Sequence, residues 1–181
     1  MANTIYKTQF ISIDYLKANT PIEDNVDDNK LTPNIILAQT THIQTYLGSS
    51  FYNRLKEGYA LKNITDDEDY FVKEYLMPCL AQWALYESIP FIKYKLNNKG
   101  MNEESSEFGA PSSEDAVKFL RNSVRDTAEF LGERLVTYLC DNYNLFDKYN
   151  NPDVDENLSK NSQTYFSGIY VPKKTSRKRR R

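Results

Sequence analysis

The sequence predicts an all-α protein: a small bundle of four or five helices with a long polar loop and an extended C-terminal arm. Apolar residues recur at three- and four-residue spacing over residues 72–84 and 117–139, which is the period of a helix packed on a core. Ser, Thr, Asp and Pro residues stand where these helices would begin. The chain of 181 residues, 40% of them hydrophobic, can fill one core. We therefore expect one helical domain over residues 1–142 and an arm over residues 143–181.

The first part of the chain predicts three short elements. An apolar stretch over residues 10–16 indicates a short helix or turn, and the acidic run EDNVDDNK after it indicates a surface loop. The first firm helix should begin at Thr32-Pro33, because threonine favours the N-cap and proline is tolerated at the first helical position. It should end at Gly48, and a second short helix should end at Gly58, because glycine readily adopts the left-handed C-cap conformation. The face expected to be buried holds Ile36, Ile43, Leu47, Phe51 and Leu55.

A central helix is predicted to follow Thr65. The sequence Thr65-Asp66-Asp67-Glu68 fits a capping box and places carboxylates at the positive end of the helix dipole. Pro78 should kink this helix without ending it, because the apolar period continues beyond it. Pro90 should mark its end or a second bend. The stripe expected to be buried consists of Val72, Tyr75, Leu76, Cys79, Leu80, Trp83 and Ala84.

The last long helix is predicted after a polar loop. Residues 96–113 are rich in Asn, Gly, Ser and Glu, so they should form an exposed loop that could turn as a hairpin at residues 98–100. Ser112 or Ser113 should cap the following helix. Gly132 interrupts its stripe and indicates a close helix contact. That stripe consists of Val117, Leu120, Val124, Ala128, Leu131, Leu135, Tyr138 and Leu139.

The C-terminal arm carries the sequence's best sign of binding. Beyond Asn142 the apolar period disappears, so residues 143–164 should lie outside the core. A compact aromatic patch then follows, which would gain little unless it docks on a partner or folds back on its own domain. We call this patch, over residues 165–171, the anchor segment; its predicted partner-binding residues are Tyr165, Phe166, Ile169, Tyr170 and Val171.

The chain ends in a strongly basic run. Its cations are Lys173, Lys174, Arg177, Lys178, Arg179, Arg180 and Arg181. Without this run, residues 1–172 contain 16 basic and 25 acidic side chains, although the whole chain has a net charge of only −2. The run could neutralise DNA phosphates or contact an acidic protein surface such as a neighbouring copy, and we favour the protein contact.

The sequence offers little support for an enzyme. The one histidine, His42, has no histidine or cysteine nearby in sequence, and Cys79 and Cys140 both fall on apolar stripes and should be buried. Asp153 and Asp155 begin a calcium-loop pattern that fails where Leu158 replaces its glycine. No phosphate-binding glycine motif is present. We therefore expect no catalytic residues, cofactor or metal, and keep a carboxylate-based hydrolase as a remote alternative.

Two further features bear on location. The sequence contains no stretch of about 20 apolar residues, the length that a membrane helix needs, and its start is unlike a signal peptide. We expect a soluble protein made in the cytoplasm, with no membrane partner.

Three segments together resemble a known family. They are TPNIILAQTTHIQTYLGSSFYNRLKEG, YFVKEYLMPCLAQWALYESIPF and SSEDAVKFLRNSVRDTAEFLGERLVTYL. Their order and spacing are similar to those of head-tail connector (adaptor) proteins of tailed bacteriophages, particularly crAss-like phages, over about residues 10–142.

The resemblance implies a structural subunit at the portal vertex, or neck, of the virion. Such subunits form a homo-oligomeric ring, usually of twelve copies, below the portal protein, and join the capsid to the tail. Genomic DNA would pass through the lumen during packaging and ejection, and further neck or tail proteins would bind below. The family commonly engages the portal through a C-terminal extension, which corresponds here to residues 143–181. The alternative is a DNA-binding accessory protein that uses the basic tail.

Overall fold

Four long helical runs make up most of the computed structural model, which describes residues 8–97, 100–103, 113–153 and 158–160. These runs span residues 28–47, 49–61, 66–93 and 114–141, and the predicted all-α class is confirmed. The helices are α1 (Ile13–Asn19), α2 (Asp28–Ala38), α3 (Gln44–Leu47), α4 (Ser49–Leu61), α5 (Asp66–Phe71), α6 (Met77–Lys93), α7 (Glu114–Asp141) and α8 (Asp147–Asn150). Two π-helical turns, Gln39–Ile43 and Val72–Leu76, join α2 to α3 and α5 to α6, and a 3-10 turn (Tyr143–Leu145) precedes α8.

Helix α6 lies at the centre of the core and packs on both α2 and α7. Its inward residues include Cys79, Leu80 and Ala84, which have no exposed surface. A second part of the core is aromatic and joins α4, the α5–α6 run, α7 and the segment after α7. Its rings lie 4.1 to 6.3 Å apart and belong to Phe51, Phe71, Tyr75, Tyr138, Phe146 and Tyr149.

Several helix ends follow the predicted capping chemistry. Thr65 and Glu68 form the reciprocal capping box, in which each side chain accepts the other residue's backbone N–H. Ser113 caps α7 by accepting the N–H of Ala116 at 3.2 Å. Gly48 ends α3 with a φ of 74° and a ψ of 160°, a positive-φ conformation that costs glycine little. These predictions are confirmed.

The predicted start at Thr32-Pro33 is wrong. The helix begins at Asp28, because the Asp27 side chain accepts the N–H of Asn29 at 3.0 Å and so acts as the N-cap. Pro33 lies inside α2, where it removes one backbone hydrogen bond without ending the helix. The end predicted at Gly58 is also wrong. Helix α4 continues to Leu61 and ends on Lys62 in a left-handed conformation, with φ of 56°.

The face predicted for the first helix is partly wrong. Ile36 is exposed, whereas its neighbour Ile35 is fully buried. A π-helical turn places one extra residue in the helix, so the buried apolar positions advance from Ala38 to Ile43, a step of five, with the buried polar Gln39 between them. The prediction that Ile36 is buried assumes a strict 3.6-residue period, and this period does not hold across the π-helical turn.

Both prolines of the central helix are accommodated within it. The run continues through Pro78, as predicted, and the irregularity before it takes the form of the π turn Val72–Leu76. Pro90 does not end the helix, which continues to Lys93. The predicted hairpin is present. Strands β1 (Tyr94–Asn97) and β2 (Gly100–Glu103) are antiparallel, with Asn97 opposite Gly100.

The boundary between domain and arm lies later than Asn142. Phe146 and Tyr149 are buried, so the interpretation of residues 143–164 as lying outside the core is wrong for these two. Two aromatic residues spaced by three lack a long apolar period, yet one short helical turn is enough to bury both. Beyond them, Leu158 exchanges hydrogen bonds with Ser49, whose N–H donates to the Leu158 carbonyl at 2.8 Å.

Gly132 permits the close helix contact predicted for it. A β-carbon at this position would lie 2.5 Å from Cζ and 2.6 Å from the hydroxyl oxygen of Tyr46. Gly132→Ala should therefore lower the free energy of unfolding by about 1–3 kcal/mol, because Tyr46 must leave its packed position. Ordinarily this substitution in a helix is favourable by about 1 kcal/mol.

Urea denaturation of a double-mutant cycle checks this explanation. In a Tyr46→Ala background, Gly132→Ala should become neutral or stabilising, because the obstructing ring is absent. Gly58→Ala is the matched control, since a β-carbon there would lie at an ordinary 3.4 Å from Ile64. An equal loss at Gly132 with and without the Tyr46 ring would contradict the explanation.

Candidate functional site

The predicted binding residues lie outside the described part of the chain. This holds for the anchor residues Tyr165, Phe166, Ile169, Tyr170 and Val171, and for the basic residues 173–181. The structure instead shows which surfaces the helical body offers to partners.

The first surface is the outward side of α7. This helix of 28 residues packs on the body through one face that buries Val124, Ala128, Gly132, Leu135 and Leu139. On the other face, Phe119 is 76% exposed and Phe130 is 64% exposed. Polar residues lie between them and line a shallow depression. We call this surface the α7 outer face; it consists of Phe119, Asn122, Ser123, Asp126, Thr127 and Phe130.

The sequence also indicates this surface, through two phenylalanines that lie outside the predicted buried stripe. Phe119 and Phe130 are eleven residues apart, which is about three helical turns, so they share a face. Neither belongs to the apolar stripe predicted to be buried. Phe119 and Phe130 border one depression on the polar side of an amphipathic helix, and such an apolar patch rimmed by polar residues indicates an interaction surface.

The second surface is an apolar groove of about 520 Å³ at the end of the body where α6 finishes. Its floor is formed by the buried Ile22, Leu85, Ile89 and Val124. Leu120 stands on its rim and is 49% exposed, so the prediction that it is buried is wrong. We call this surface the terminal groove; its lining is Pro21, Ile22, Glu23, Val26, Leu85, Ile89, Ile92, Lys93, Val117, Leu120 and Val124.

An acidic loop borders the terminal groove. Glu23 lines the groove itself, and Asp24, Asp27 and Asp28 are exposed in the next five residues. Lys17 pairs with Asp28 at 2.8 Å, so part of this charge is compensated within the chain. The other three carboxylates form no salt bridge among the described residues, and Asp27 accepts the hydrogen bonds that cap α2. Lys93 also lines the groove, so one ammonium group lies beside the carboxylates of this loop at the edge of the apolar floor.

His42 lies in a small pocket of about 200 Å³ between the α2–α3 run, α6 and α7. Its ring stacks on Trp83 with 3.6 Å between ring centres and an angle of 7°. Its Nε2 atom lies 2.9 Å from Oε1 of Glu87. Burial raises the pKa of the neighbouring Tyr46 hydroxyl to about 12, so this group remains protonated near neutral pH. The contacts of His42 hold its ring in place without supplying a nucleophile.

The two cysteines differ in burial. Cys79 is buried as predicted, and desolvation raises the pKa of its thiol to about 12, which keeps the thiol in its unreactive protonated form. The predicted burial of Cys140 is wrong, because its side chain faces solvent near the end of α7.

The described residues offer neither a metal-binding cluster nor a membrane-spanning helix. Within residues 8–97, 100–103, 113–153 and 158–160, no group of three or more His, Cys, Asp or Glu side chains is arranged to hold a metal ion. In that same part of the chain, none of the helices combines the length and the apolar character needed to cross a membrane.

These features define an all-α protein whose described body offers a helix face with two exposed phenylalanines and an apolar groove beside an acidic loop. Residues 43–157 match DUF6712, a family of unknown function, and the chain belongs to that family. No curated protein and no solved structure matches the chain.

Proposed function

We propose that this chain is a head-tail connector (adaptor) subunit of a tailed bacteriophage, with a structural role and no catalytic one. Copies of it, twelve in the arrangement implied by the sequence resemblance, would form a neck ring below the portal protein. The ring would join the capsid to the tail and let genomic DNA pass. The portal and further neck or tail proteins would be its other partners, and the virion's portal vertex would be its location.

The observation that carries this proposal is the α7 outer face. Phe119 and Phe130 expose large apolar rings three turns apart on a helix whose opposite side is fixed in the core. Exposed aromatic residues bordered by polar ones are typical of protein–protein interfaces, and Asn122, Ser123 and Asp126 supply such a border. A long, rigid helix presenting such a face suits assembly better than it suits chemistry on a small molecule.

The geometry of a ring adds a second argument. A cyclic ring of more than two copies needs two unlike surfaces on each subunit, since each copy contacts one neighbour in front and another behind. The body has two such surfaces, the α7 outer face and the terminal groove, which differ in shape and charge. Both are apolar enough to contribute to association.

The charge of the chain fits a passage for DNA. Residues 1–172 carry nine more acidic than basic side chains. A lumen lined by such a surface would repel the phosphate backbone, which lets DNA move through without being held. The basic run at the C-terminus is then left to contact protein.

Placing charges on the α7 outer face tests the proposal. Phe119→Glu combined with Phe130→Glu should leave the fold intact, because both side chains are mostly exposed. The same change should strongly reduce ring formation when the full-length protein is mixed with its purified portal, because carboxylates would be buried unpaired in the interface. Electron microscopy of the mixture measures the fraction of portals that carry a ring.

Leu61→Glu is the control for this experiment. Leu61 is an exposed leucine at the end of α4, outside both surfaces, and is 54% exposed. Its substitution should leave ring formation unchanged. Rings that form equally well with the Phe119 and Phe130 variant would exclude the α7 outer face as an interface between copies.

A further inference from the structure

We propose that the terminal groove of one copy receives the anchor segment of a neighbouring copy, and that the basic run after the anchor lies on the acidic loop beside the groove. This inference deepens the proposed function and rests on it, because the exchange of tails requires neighbouring copies. It assigns a specific binding site to the anchor segment, whose binding role is predicted from the sequence alone.

The groove matches the chemistry of the anchor. Ile22, Leu85 and Ile89 form an apolar floor, and the volume of about 520 Å³ falls within the range of about 300–1,000 Å³ that is usual for sites that bury a ligand. Tyrosine and phenylalanine side chains bury about 150–250 Å² each, so docking two of them in the groove would remove a large apolar area from water. The hydroxyl groups of Tyr165 and Tyr170 could remain at the polar rim.

The order of apolar and charged residues also matches. In the tail, the first of seven cations, Lys173, lies two residues after the aromatic patch ends, and all seven lie within residues 173–181. At the groove, Glu23 and Lys93 lie beside the apolar floor, and the exposed Asp24 and Asp27 continue the acidic loop after Glu23, so three carboxylates stand against one ammonium group. An anchor seated in the groove would therefore bring its basic run close to carboxylates, and opposite charges at an interface favour both association and the correct register.

The reach of the chain favours a neighbour over the same copy. Lys160 is held near the start of α4, since its ammonium group donates to the Tyr149 carbonyl at 2.9 Å and Leu158 pairs with Ser49. The groove lies at the other end of the run 28–47, whose 20 residues span about 30 Å at about 1.5 Å each. The five residues from Lys160 to Tyr165 extend at most about 18 Å, which is less than this span, so Tyr165 would fall short of its own groove, although Tyr170, ten residues from Lys160, could extend about 36 Å. A neighbouring copy is therefore needed for the whole anchor segment, Tyr165 included, to enter the groove.

Another segment of the same chain competes for this site. Residues 104–112, which lie outside the described residues, connect β2 to α7 and include Phe108. Their two ionisable side chains, Glu104 and Glu107, are acidic and would be repelled by the acidic loop. Charge complementarity therefore favours the C-terminal tail as the occupant.

Binding of a peptide in solution tests the inference. The full-length chain, labelled with a fluorophore on the exposed Cys140, is kept at trace concentration while a synthetic peptide of residues 161–181 is added, and thermophoresis reports binding. We expect saturable binding that weakens at least tenfold with Leu120→Arg, which places a cation on the groove rim. The matched control Leu61→Arg should change the affinity less than twofold.

Three comparisons separate specific docking from simple charge attraction. A scrambled peptide of the same composition should bind at least tenfold more weakly. Glu23→Gln with Asp24→Asn should weaken binding at least threefold at low salt, whereas Asp66→Asn with Asp67→Asn should not. The chain with Tyr165, Phe166 and Tyr170 replaced by alanine should bind the peptide as the unmodified chain does, because its own tail does not occupy its groove.

Each opposite result would overturn the inference. Equal binding of the scrambled peptide would show charge attraction alone, and insensitivity to Leu120→Arg would show that another site, or residues 104–112, determines binding. Much tighter binding to the triple-alanine chain would show that the tail occupies its own groove. None of these results bears on whether the chain forms a neck ring, which is tested separately on virions.

Discussion

Replacing Phe146 with alanine is expected to lower the free energy of unfolding by about 3–5 kcal/mol, the usual cost of removing a buried phenylalanine ring. Phe146 is 1% exposed, and its ring lies 5.5 Å from that of Phe71 and 5.6 Å from that of Phe51. The loss would show that the segment after α7 completes the core. Urea denaturation followed by circular dichroism measures the change.

Tyr143→Ala provides the matched control. Tyr143 lies three residues earlier in the same segment, but its side chain is 61% exposed. Its replacement should change stability by less than about 0.5 kcal/mol. A loss below about 1 kcal/mol for Phe146→Ala would mean that residues 143–150 are dispensable to the helical body.

Replacing Tyr165, Phe166 and Tyr170 with alanine is expected to abolish docking of the anchor segment and, with it, joining of heads to tails. The three substitutions remove most of the apolar surface that the segment could bury, and aromatic residues commonly dominate binding energy at interfaces. In infected cells that supply only the variant, DNA-filled heads without tails should accumulate. The helical content of the purified variant should remain unchanged.

A second triple variant controls for changes to the arm in general. Alanine at Asn161, Ser162 and Gln163 alters the same arm just before the anchor but removes no aromatic group. It should support normal assembly. Normal assembly of the Tyr165, Phe166 and Tyr170 variant as well would exclude the anchor segment as a binding element.

Much of the fold follows from local chemistry that the sequence displays directly. The capping box at Thr65 and Glu68 and the cap at Ser113 depend on side chains within three residues of the groups they bind, so they could be recognised without tertiary information. The stripe of α7 likewise predicted the buried Val124, Ala128 and Leu135.

The errors arise where tertiary contacts override a local pattern. The π turn Gln39–Ile43 shifts the buried face by one residue, and no single residue type marks such a turn in a sequence. The burial of Phe146 and Tyr149 depends on Phe51 and Phe71, which are distant in sequence. The short segment after α7 has no apolar period, so its sequence does not indicate that it completes the core.

The candidate surfaces were less predictable than the core. Phe119 and Phe130 could have been identified by their spacing on the polar side of α7. The terminal groove could not, because it is assembled from the loop after α1, the end of α6 and the first half of α7. Only the folded arrangement brings these three segments together beside the acidic loop.

Cryo-electron microscopy of purified virions tests the proposed function most directly. The account predicts a symmetric ring of this chain below the portal, with the α7 outer face between adjacent copies and the DNA channel passing through the centre. A neck that lacks this chain would contradict the connector function. Steep, salt-dependent binding of DNA that disappears when residues 173–181 are deleted would then favour the DNA-binding accessory protein instead.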